Sequence, residues 1–361
     1  DSPICAADLE HIWCQLTPRE KARLHGAKIL ITGCAGFLGF YTLVFFHKFF
    51  DQLSIKKIIG IDNFRLGQPK WLSALKSPAT EFLSLDVTKL KPTDLEDHQD
   101  VNYVIHMASI ASPTYYRRYP LETVDANVWG LRRLLELFKA AKKLKGFLFF
   151  SSSEVYGEPD PSCIPIKEDY RGNVWTIGPR ACYDEAKRFG ETLCYIYAEK
   201  FGLPITIVRP FNNYGPGMKL DDRRAPADFA KAVLLKQPLR IYSDGTPTRT
   251  YCYVADGIAG YLKALVYDSF EVFNIGMDKP ELSVSQLAAI YQEIGQEIFG
   301  HRVDIAYCVP DDKDYLTHNP RRRCPDITKA KSLLGFSPVI DVRSGVRRFL
   351  QFLYQYRGDG K

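Results

Sequence analysis

The chain of 361 residues has no apolar run of the roughly 20 residues that are needed to cross a bilayer. Residues 1–25 are polar and lack a signal-peptide pattern, and because the chain does not begin with Met we expect its start to have been trimmed. None of the nine cysteines belongs to a Cys-x-x-Cys pair, and their spacing fits neither a zinc site nor a disulfide framework. These absences predict a cytoplasmic protein with reduced thiols, no metal site and no membrane contact.

Strong charge of either sign is also missing. The chain carries 48 Lys and Arg against 42 Asp and Glu, a formal net charge of +6 that is spread along its length. No stretch resembles a nucleic-acid-binding motif, so we predict no nucleic-acid partner. A mild positive excess of this kind suits a small anionic substrate.

Short apolar runs alternate over the first 210 residues with longer helical patterns, which include residues 131–143 and 183–201. Fully apolar strands that alternate with helices predict a parallel sheet covered on both faces. The predicted fold class is therefore α/β, a Rossmann-type doubly wound parallel sheet with a smaller mixed α/β substrate lobe. The predicted strands are residues 28–32, 57–61, 101–105, 147–150 and 205–208.

Changes in composition predict three parts of the chain. Residues 1–26 form an N-terminal helical extension, with a helix over 4–25 that packs on the main body. Residues 27–210 form the Rossmann domain, to which 251–275 return. The segments 211–250 and 276–361 are richer in Pro, Arg and turn residues and form the substrate lobe.

A glycine-rich turn follows the first predicted strand and opens a helix. Such a turn lets the backbone approach a pyrophosphate, which lies at the positive end of the helix. Asp62 ends the second strand, where a carboxylate can accept hydrogen bonds from the adenosine ribose and would repel a 2′-phosphate. We therefore predict NAD as the cofactor. The residues of the turn assigned to it are Gly33, Gly36, Phe37, Leu38 and Gly39.

Three further residues bear on the cofactor. Asn63 follows Asp62 and is assigned to the same site. Asp86 is predicted to end the third strand near the adenine, although a turn or a helix cap explains it equally well. Arg65 lies close by in sequence and would suit a 2′-phosphate, which keeps NADP open as an alternative.

Tyr183 and Lys187 are four residues apart, on one face of a predicted helix. A tyrosine hydroxyl titrates near pH 10, and a nearby ammonium together with a cationic nicotinamide lowers that pKa, so that the phenolate can act as a base. The apolar run 147–150 leads into three serines and Glu154, which we predict to lie in the same cleft. Alternatives are a surface Tyr–Lys pair and a Ser/Glu helix cap.

From residue 28 to residue 348 the chain resembles the extended short-chain dehydrogenases/reductases of the NAD-dependent epimerase/dehydratase type. Within that family it is most similar to the UDP-glucuronate decarboxylases, the UDP-xylose synthases. The Tyr-x-x-x-Lys pair marks only the superfamily, whereas the other segments are more specific. The segments that carry the resemblance are 111–113, 153–157, 177–188, 212–216, 244–249 and 323–327.

The resemblance implies a catalytic set. Tyr183 is then the base at the C4 hydroxyl of the sugar with Lys187 as its partner, and Ser152 is the hydroxyl member of the triad. Ser153 and Glu154 match the pair found in the decarboxylases. A different role for Glu154 is to cap the following turn or to pair with Arg323.

The resemblance also implies a nucleotide-sugar site and a homodimer, paired through the helices at 120–144 and 182–201. Arg249 and Arg323 match basic positions near the phosphates and the sugar carboxylate, although Arg323 also fits an exposed structural arginine. Asn213 is expected to contact a phosphate. The full predicted substrate set is Ser112, Pro113, Tyr116, Glu154, Arg180, Asn212, Asn213, Arg224, Arg249 and Arg323.

The implied reaction is decarboxylation of UDP-glucuronate to UDP-xylose through a 4-keto intermediate, which is either reduced again or released with NADH. Residues 222–226 depart from the family pattern in a loop implied to form the base pocket, as do Arg171 and Thr176 elsewhere. Two alternatives stay open. One is a 4-epimerase or 4,6-dehydratase on the same scaffold, and the other is a non-catalytic regulatory protein that binds dinucleotide.

Overall fold

A central sheet of seven parallel strands organises the protein in a computed structural model that describes residues 2–356. Three small sheets lie outside it. The strands are β1 (Lys28–Thr32), β2 (Lys57–Asp62), β3 (Thr80–Ser84), β4 (Tyr103–His106), β5 (Gly146–Phe150), β6 (Ile205–Pro210), β7 (Asn213–Tyr214), β8 (Leu239–Ile241), β9 (Thr248–Arg249), β10 (Cys252–Tyr253), β11 (Glu271–Ile275), β12 (Leu282–Ser283), β13 (Ile305–Tyr307) and β14 (Arg322–Arg323).

Helices cover the sheet and complete the fold, and short 3₁₀ helices at Pro92–His98, Ser153–Tyr156 and Pro161–Cys163 join them. Within residues 2–356 no helix is long and apolar enough to span a bilayer. The helices are α1 (Pro3–Gln15), α2 (Pro18–Leu24), α3 (Phe37–Lys48), α4 (Trp71–Ala74), α5 (Pro113–Arg118), α6 (Pro120–Val124), α7 (Leu131–Phe138), α8 (Ala181–Phe201), α9 (Ala225–Leu234), α10 (Val254–Leu265), α11 (Val284–Phe299), α12 (Thr328–Leu334) and α13 (Val342–Tyr356).

The strand order confirms the predicted doubly wound fold. Across the sheet the order is β3-β2-β1-β4-β5-β6-β11, and each strand is parallel to its neighbours. The order reverses between β1 and β4, and an open parallel sheet binds its ligands in the crevice at such a point. The predicted run 101–105 begins later than expected, at Tyr103. Two further strands form the edges of the sheet: β3, which the sequence indicated only through Asp86 at its expected end, and β11.

Strand β1 contributes side chains to the apolar layers on both faces of the sheet. Its side chains alternate, so that Ile29 and Ile31 pack into one buried cluster and Leu30 into another. The first cluster contains Phe45 of α3, and the second contains Leu134 of α7. A strand buried on both faces must be apolar throughout, which is the pattern that the sequence shows.

Two helix predictions need correction. The helix expected over 4–25 is two helices, because Thr17 caps α2 and Pro18 begins it. Proline suits the first helical position but cannot continue a preceding helix. The helix expected over 131–143 ends at Phe138, and a π-helical segment at Asp125–Gly130 precedes it.

The N-terminal helices pack on the main body through a buried carboxylate. Asp8 of α1 accepts hydrogen bonds from Tyr41 of α3 at 2.8 Å, Tyr253 of β10 at 2.6 Å and Arg348 of α13 at 2.7 Å. Burial raises the pKa of Asp8, and these three donors oppose that effect. One carboxylate thus joins α1 to elements far apart in the chain. The division into a Rossmann domain and a substrate lobe stays a prediction.

Candidate active site

One cavity of about 680 Å³ lies over the carboxyl ends of the central strands. All the predicted site residues line it, and their roles remain predictions. They are Gly33, Gly36, Phe37, Leu38, Gly39, Asp62, Asn63, Asp86, Ser112, Pro113, Tyr116, Ser152, Ser153, Glu154, Arg180, Tyr183, Lys187, Asn212, Asn213, Arg224, Arg249 and Arg323.

The turn between β1 and α3 is shaped for close approach of a ligand. Gly33 has a φ of +70°, and a Cβ there would lie 2.7 Å from the backbone nitrogen of Ala108. A Cβ on Gly39 would lie 2.4 Å from the carbonyl oxygen of Cys34. Only glycine fits these two positions, and the turn presents the N-terminus of α3 to the cavity. The residues present therefore fit a dinucleotide.

Asp62 stands beside this turn, at the end of β2. Its carboxylate accepts hydrogen bonds from the backbone N–H of Ala35 at 3.0 Å and of Phe64 at 2.9 Å. A carboxylate has about four acceptor positions, so ribose hydroxyls can still be bound. Arg65, which would suit a 2′-phosphate, pairs instead with Glu122 at 2.6 Å. This favours the predicted preference for NAD.

Asp86 lies two residues beyond the end of β3 rather than at its end. Its carboxylate accepts hydrogen bonds from the backbone N–H of Thr88 at 2.9 Å and from Asn63 at 3.3 Å. The hydrogen bond from Thr88 stabilises a turn, which is the alternative role that we considered for Asp86. The second bond ties Asn63 to the same end of the cavity.

Tyr183 and Lys187 face the cavity from α8. The Lys187 ammonium donates to the carbonyl oxygen of Phe150 at 2.6 Å and lies 5.7 Å from the centre of the Tyr183 ring. Burial lowers the pKa of Lys187 to about 7. Burial also raises the pKa of Tyr183 to about 12, and a hydrogen bond with Ser152 partly offsets this. We predicted a lowered pKa for Tyr183, but without a bound cofactor the effect of burial is larger and the pKa is raised.

Glu154 lies between two buried arginines. Its carboxylate accepts a hydrogen bond from Arg180 at 2.6 Å and another from Arg323. Despite burial, these two guanidiniums hold the pKa of Glu154 well below its usual range. The pairing with Arg323, which we considered as an alternative role, is present. Arg323 is not the exposed structural arginine of the other alternative, since only 2% of its side chain is exposed.

Part of the helix-cap alternative is also present. Ser152 precedes the 3₁₀ helix Ser153–Tyr156, and its hydroxyl accepts a hydrogen bond from the backbone N–H of Glu154 at 3.2 Å. Ser153 is buried in the first position of that helix. The cap leaves the Glu154 side chain free to meet the two guanidiniums, so capping and ion pairing coexist.

Arg249 presents positive charge without a carboxylate partner among the described residues. Its guanidinium donates to the carbonyl oxygens of Thr248 at 2.8 Å and Arg321 at 3.2 Å, and to the Asn319 amide at 3.3 Å. Burial, followed by the charge of Arg323, lowers the pKa of Arg249 to about 10. An anion at this point would relieve both effects.

Asn213 offers a further donor. Its side-chain oxygen accepts from Tyr261 at 2.5 Å, whereas its amide nitrogen is buried without a partner among the described residues. The neighbouring Asn212 is tied to the carbonyl oxygen of Thr250 at 2.8 Å. A buried N–H without a partner is costly, so Asn213 suits the phosphate contact that we predicted.

The remaining predicted residues also line the cavity. Tyr116 stacks on Tyr183 with ring centres 5.1 Å apart, and its hydroxyl is buried without a partner among residues 2–356. Arg224 forms a bidentate pair with Asp222, and Ser112 donates to the Asp222 carbonyl at 2.6 Å. Pro113 begins α5 beside Ser112.

Several residues near the site were missed. Asp184 follows Tyr183, and burial, with the charge of Glu154 second, raises its pKa to about 8. Asp228, Arg240 and Tyr315 line the cavity. No local pattern marks Asp228 or Tyr315, because elements distant in the chain bring them to the cavity. Asp184 could have been suspected from its place inside the Tyr183–Lys187 block.

Comparison with known proteins gives a consistent result. The family model described as "NAD dependent epimerase/dehydratase family" matches residues 29–276. UDP-glucuronic acid decarboxylase 1 of Arabidopsis thaliana is 36% identical, covering 90% of this chain and 69% of that protein. UDP-glucuronic acid decarboxylase 1 of Xenopus tropicalis is 33% identical, covering 90% of this chain and 72% of that protein.

A solved structure agrees with these sequence matches. The Y149F mutant of UDP-glucuronic acid 4-epimerase from Bacillus cereus, in complex with UDP-4-deoxy-4-fluoro-glucuronic acid and NAD, has a TM-score of 0.76. It is 29% identical, and the match covers 91% of this chain and 99% of that one. The likeness therefore extends over nearly the whole fold.

We predict that the protein binds NAD(H) more tightly than NADP(H). Asp62 would repel a 2′-phosphate, and Arg65 is already paired with Glu122. We expect at least about a tenfold difference in Kd, equivalent to about 1.4 kcal/mol. Titration of the protein with both cofactors measures it, and equal or tighter binding of NADP(H) would contradict the assignment of Asp62.

We predict that Tyr183→Phe abolishes hydride transfer and leaves substrate binding nearly intact. The change removes the hydroxyl but keeps the ring that stacks on Tyr116. Loss of a general base lowers the rate by about two to four orders of magnitude. Tyr195→Phe, at an exposed tyrosine of the same helix, is the matched control. More than about a tenth of the normal turnover in Tyr183→Phe would exclude Tyr183 as the base.

Proposed function

The chain belongs to the NAD-dependent epimerase/dehydratase family, and we propose that it decarboxylates a nucleotide-linked glucuronic acid, converting UDP-glucuronate to UDP-xylose. Relatives named as UDP-glucuronic acid decarboxylases are 33–37% identical to it over most of its length. The protein is thus an NAD-dependent enzyme. Its proposed overall reaction is that of a lyase, and oxidation at C4 is the step that makes the decarboxylation possible.

The observation that carries this proposal is the placement of Glu154 between Arg180 and Arg323, in the same cavity as Tyr183. Arg323 also has an Nε–H that is buried without a hydrogen-bond partner among the described residues, whereas the Nε of Arg180 lies 3.8 Å from the Asp184 carboxylate. Guanidiniums bind carboxylates and phosphates through several N–H groups at once. The site can therefore receive a second carboxylate, that of the sugar, beside the one that it already holds.

In the proposed mechanism Tyr183 removes the proton of the C4 hydroxyl, and Ser152, hydrogen-bonded to Tyr183, holds the reacting oxygen. NAD supplies the hydride acceptor at C4, and its reduced form the donor for the return step. The residues that would hold it are the Gly33–Gly39 turn and Asp62. Because burial raises the pKa of Tyr183 to about 12, its resting form is the phenol, and the positive charge that a bound nicotinamide would supply is what lowers this pKa enough for the phenolate to act as the base.

Oxidation at C4 turns the sugar acid into a β-keto acid. Such an acid loses carbon dioxide because the electron pair of the breaking bond moves into the ketone. Tyr183 and Ser152 then donate hydrogen bonds to the developing enolate oxygen, which is where charge accumulates. Arg180 and Arg323 orient the carboxylate before it leaves, and Glu154, which they keep ionised, is placed to orient a water that supplies the proton required at C5.

The experiment that tests this function is an incubation with UDP-glucuronate and with its CDP analogue, followed by mass analysis of the products. We expect release of carbon dioxide and a UDP-pentose, whose mass tells xylose from the 4-keto pentose. An isomer of unchanged mass would show a 4-epimerase, and loss of water a dehydratase. No turnover of any nucleotide sugar would favour the regulatory alternative.

We predict that Glu154→Gln lowers carbon dioxide release by orders of magnitude without weakening cofactor binding. Glutamine keeps the shape but removes the charge that faces two guanidiniums. Because that charge is paired, we expect stability to fall as well, by about 1–3 kcal/mol. Release per folded molecule and Tm, measured on one preparation, separate the two effects.

Glu281→Gln is the matched control for this variant. Glu281 pairs with Arg322, the residue before Arg323, at 2.7 Å, and it is not part of the main cavity. The Glu281→Gln variant also loses an ion pair with a guanidinium, but it should release carbon dioxide at the normal rate. Release from Glu154→Gln equal to that of the control would contradict the catalytic role of Glu154 and remove a main reason for preferring a decarboxylase to an epimerase.

We further propose a homodimer in a reducing compartment, the cytoplasm. All nine cysteines are free in the described structure. Helix α8 and the segment around α6 pack together, and each exposes large apolar side chains that a partner could cover. These are Leu121, Trp129, Phe189, Tyr195 and Ile196. Sedimentation should show a dimer that Trp129→Glu weakens, and a wild-type monomer at micromolar concentration would contradict this proposal.

A further inference from the structure

The part of the cavity formed by α9 and β8 contains charged side chains without hydrogen-bonded partners. Asp228, Arg223 and Arg240 all line it, and no hydrogen bond or close ion pair is formed by these side chains within the described residues. The two arginines are exposed, and the charge of Arg223 lies near enough to Asp228 to oppose the rise that burial causes in the pKa of Asp228. Glu154, in contrast, is paired with two arginines. Unpaired charges in the wall of a cavity mark a place for a polar ligand.

Aromatic side chains surround these charges. Tyr242 and Tyr315 meet edge to face, with ring centres 5.2 Å apart, and Phe229 is buried beside Asp228 in the chain. Burial raises the pKa of Tyr315 to about 12, and the charge of Asp228 adds to that rise, so the carboxylate lies near this ring. Planar walls with a few polar groups suit a flat heterocycle.

The order of groups in the cavity indicates which heterocycle reaches this part. This step depends on the proposed function. Under that function the sugar would lie at Tyr183 and Glu154. Its diphosphate would suit Arg249, which has no acidic partner among the described residues, and the Asn213 amide, whose N–H group has no partner there. The nucleoside would then extend towards α9 and β8, which line another part of the same cavity.

We propose that Asp228 is a specificity-determining residue, whose carboxylate accepts the N3–H of the nucleobase and so selects uracil over cytosine. Uracil carries a proton at N3 with a carbonyl on either side, which Arg223 or Arg240 can meet as donors. Cytosine carries a lone pair at N3, which would face the carboxylate unfavourably. A buried polar group that loses its partner penalises the wrong ligand strongly.

The test is calorimetric titration of the NAD-loaded protein with UDP and with CDP. We expect wild type to bind UDP at least about tenfold more tightly, as one charge-assisted hydrogen bond would give. In Asp228→Asn the amide can present either an oxygen or an N–H, so the ratio of the two Kd values should fall towards one. Asp228→Ala should weaken UDP binding and also lose the preference.

Asp221→Asn is the matched control. Asp221 lies in the loop that precedes α9, is exposed, accepts a hydrogen bond from Tyr115 and does not line the cavity. It should keep the wild-type preference. A preference retained within about twofold in both Asp228 variants, or a wild type that favours CDP, overturns the inference.

A separate measurement distinguishes failure of the proposed function from failure of the inference about Asp228. Carbon dioxide release from UDP-glucuronate, measured on the same wild-type preparation, tests the reaction without reference to Asp228. Tm values of the variants show whether they are folded. N3-methyl-UDP provides a second probe, since it keeps the carbonyls but lacks the N3–H. Wild type should discriminate against it, and equal binding of UDP and N3-methyl-UDP by wild type would also overturn the inference.

Discussion

Glu154 is largely removed from water, and a carboxylate in that position is tolerated only beside positive charge. Arg180 comes from the start of α8, and Arg323 comes from β14, more than a hundred residues later. Because β14 pairs with β9 so that Arg323 stands beside Arg249, the ion pair also sets where Arg249 lies. One buried charge thereby connects α8, the helix that carries Tyr183 and Lys187, to the strands expected to bind the substrate.

The same constraint gives the cavity its electrostatic character. Glu154 and Asp222 offset part of the charge of Arg180, Arg323 and Arg224, whereas Arg249 has no carboxylate partner among the described residues. The excess of guanidinium suits a diphosphate joined to a sugar acid. The net charge of the whole chain, +6, could not have shown this, because it says nothing about where cations gather.

Burial also governs the titrating groups. It raises the pKa of Tyr183 to about 12 and lowers that of Lys187 to about 7, so both groups favour their neutral forms. The protein's own groups therefore hold Tyr183 as the phenol, and it becomes a base only when a positive charge beside it lowers its pKa. In the proposed reaction the phenol then returns its proton to the C4 oxygen when the hydride comes back to C4.

Local patterns in the sequence were enough to predict the β1–glycine turn–α3 unit and the Tyr183–Lys187 pair, because residues close in sequence determine a turn and the face of a helix. The alternation of apolar runs with helices predicted the parallel sheet for the same reason. The partners of Glu154, the three donors to Asp8 and the unpaired Asp228 are different. They depend on contacts between elements that are tens to hundreds of residues apart, and only the packing of the whole chain decides which side chains are buried together.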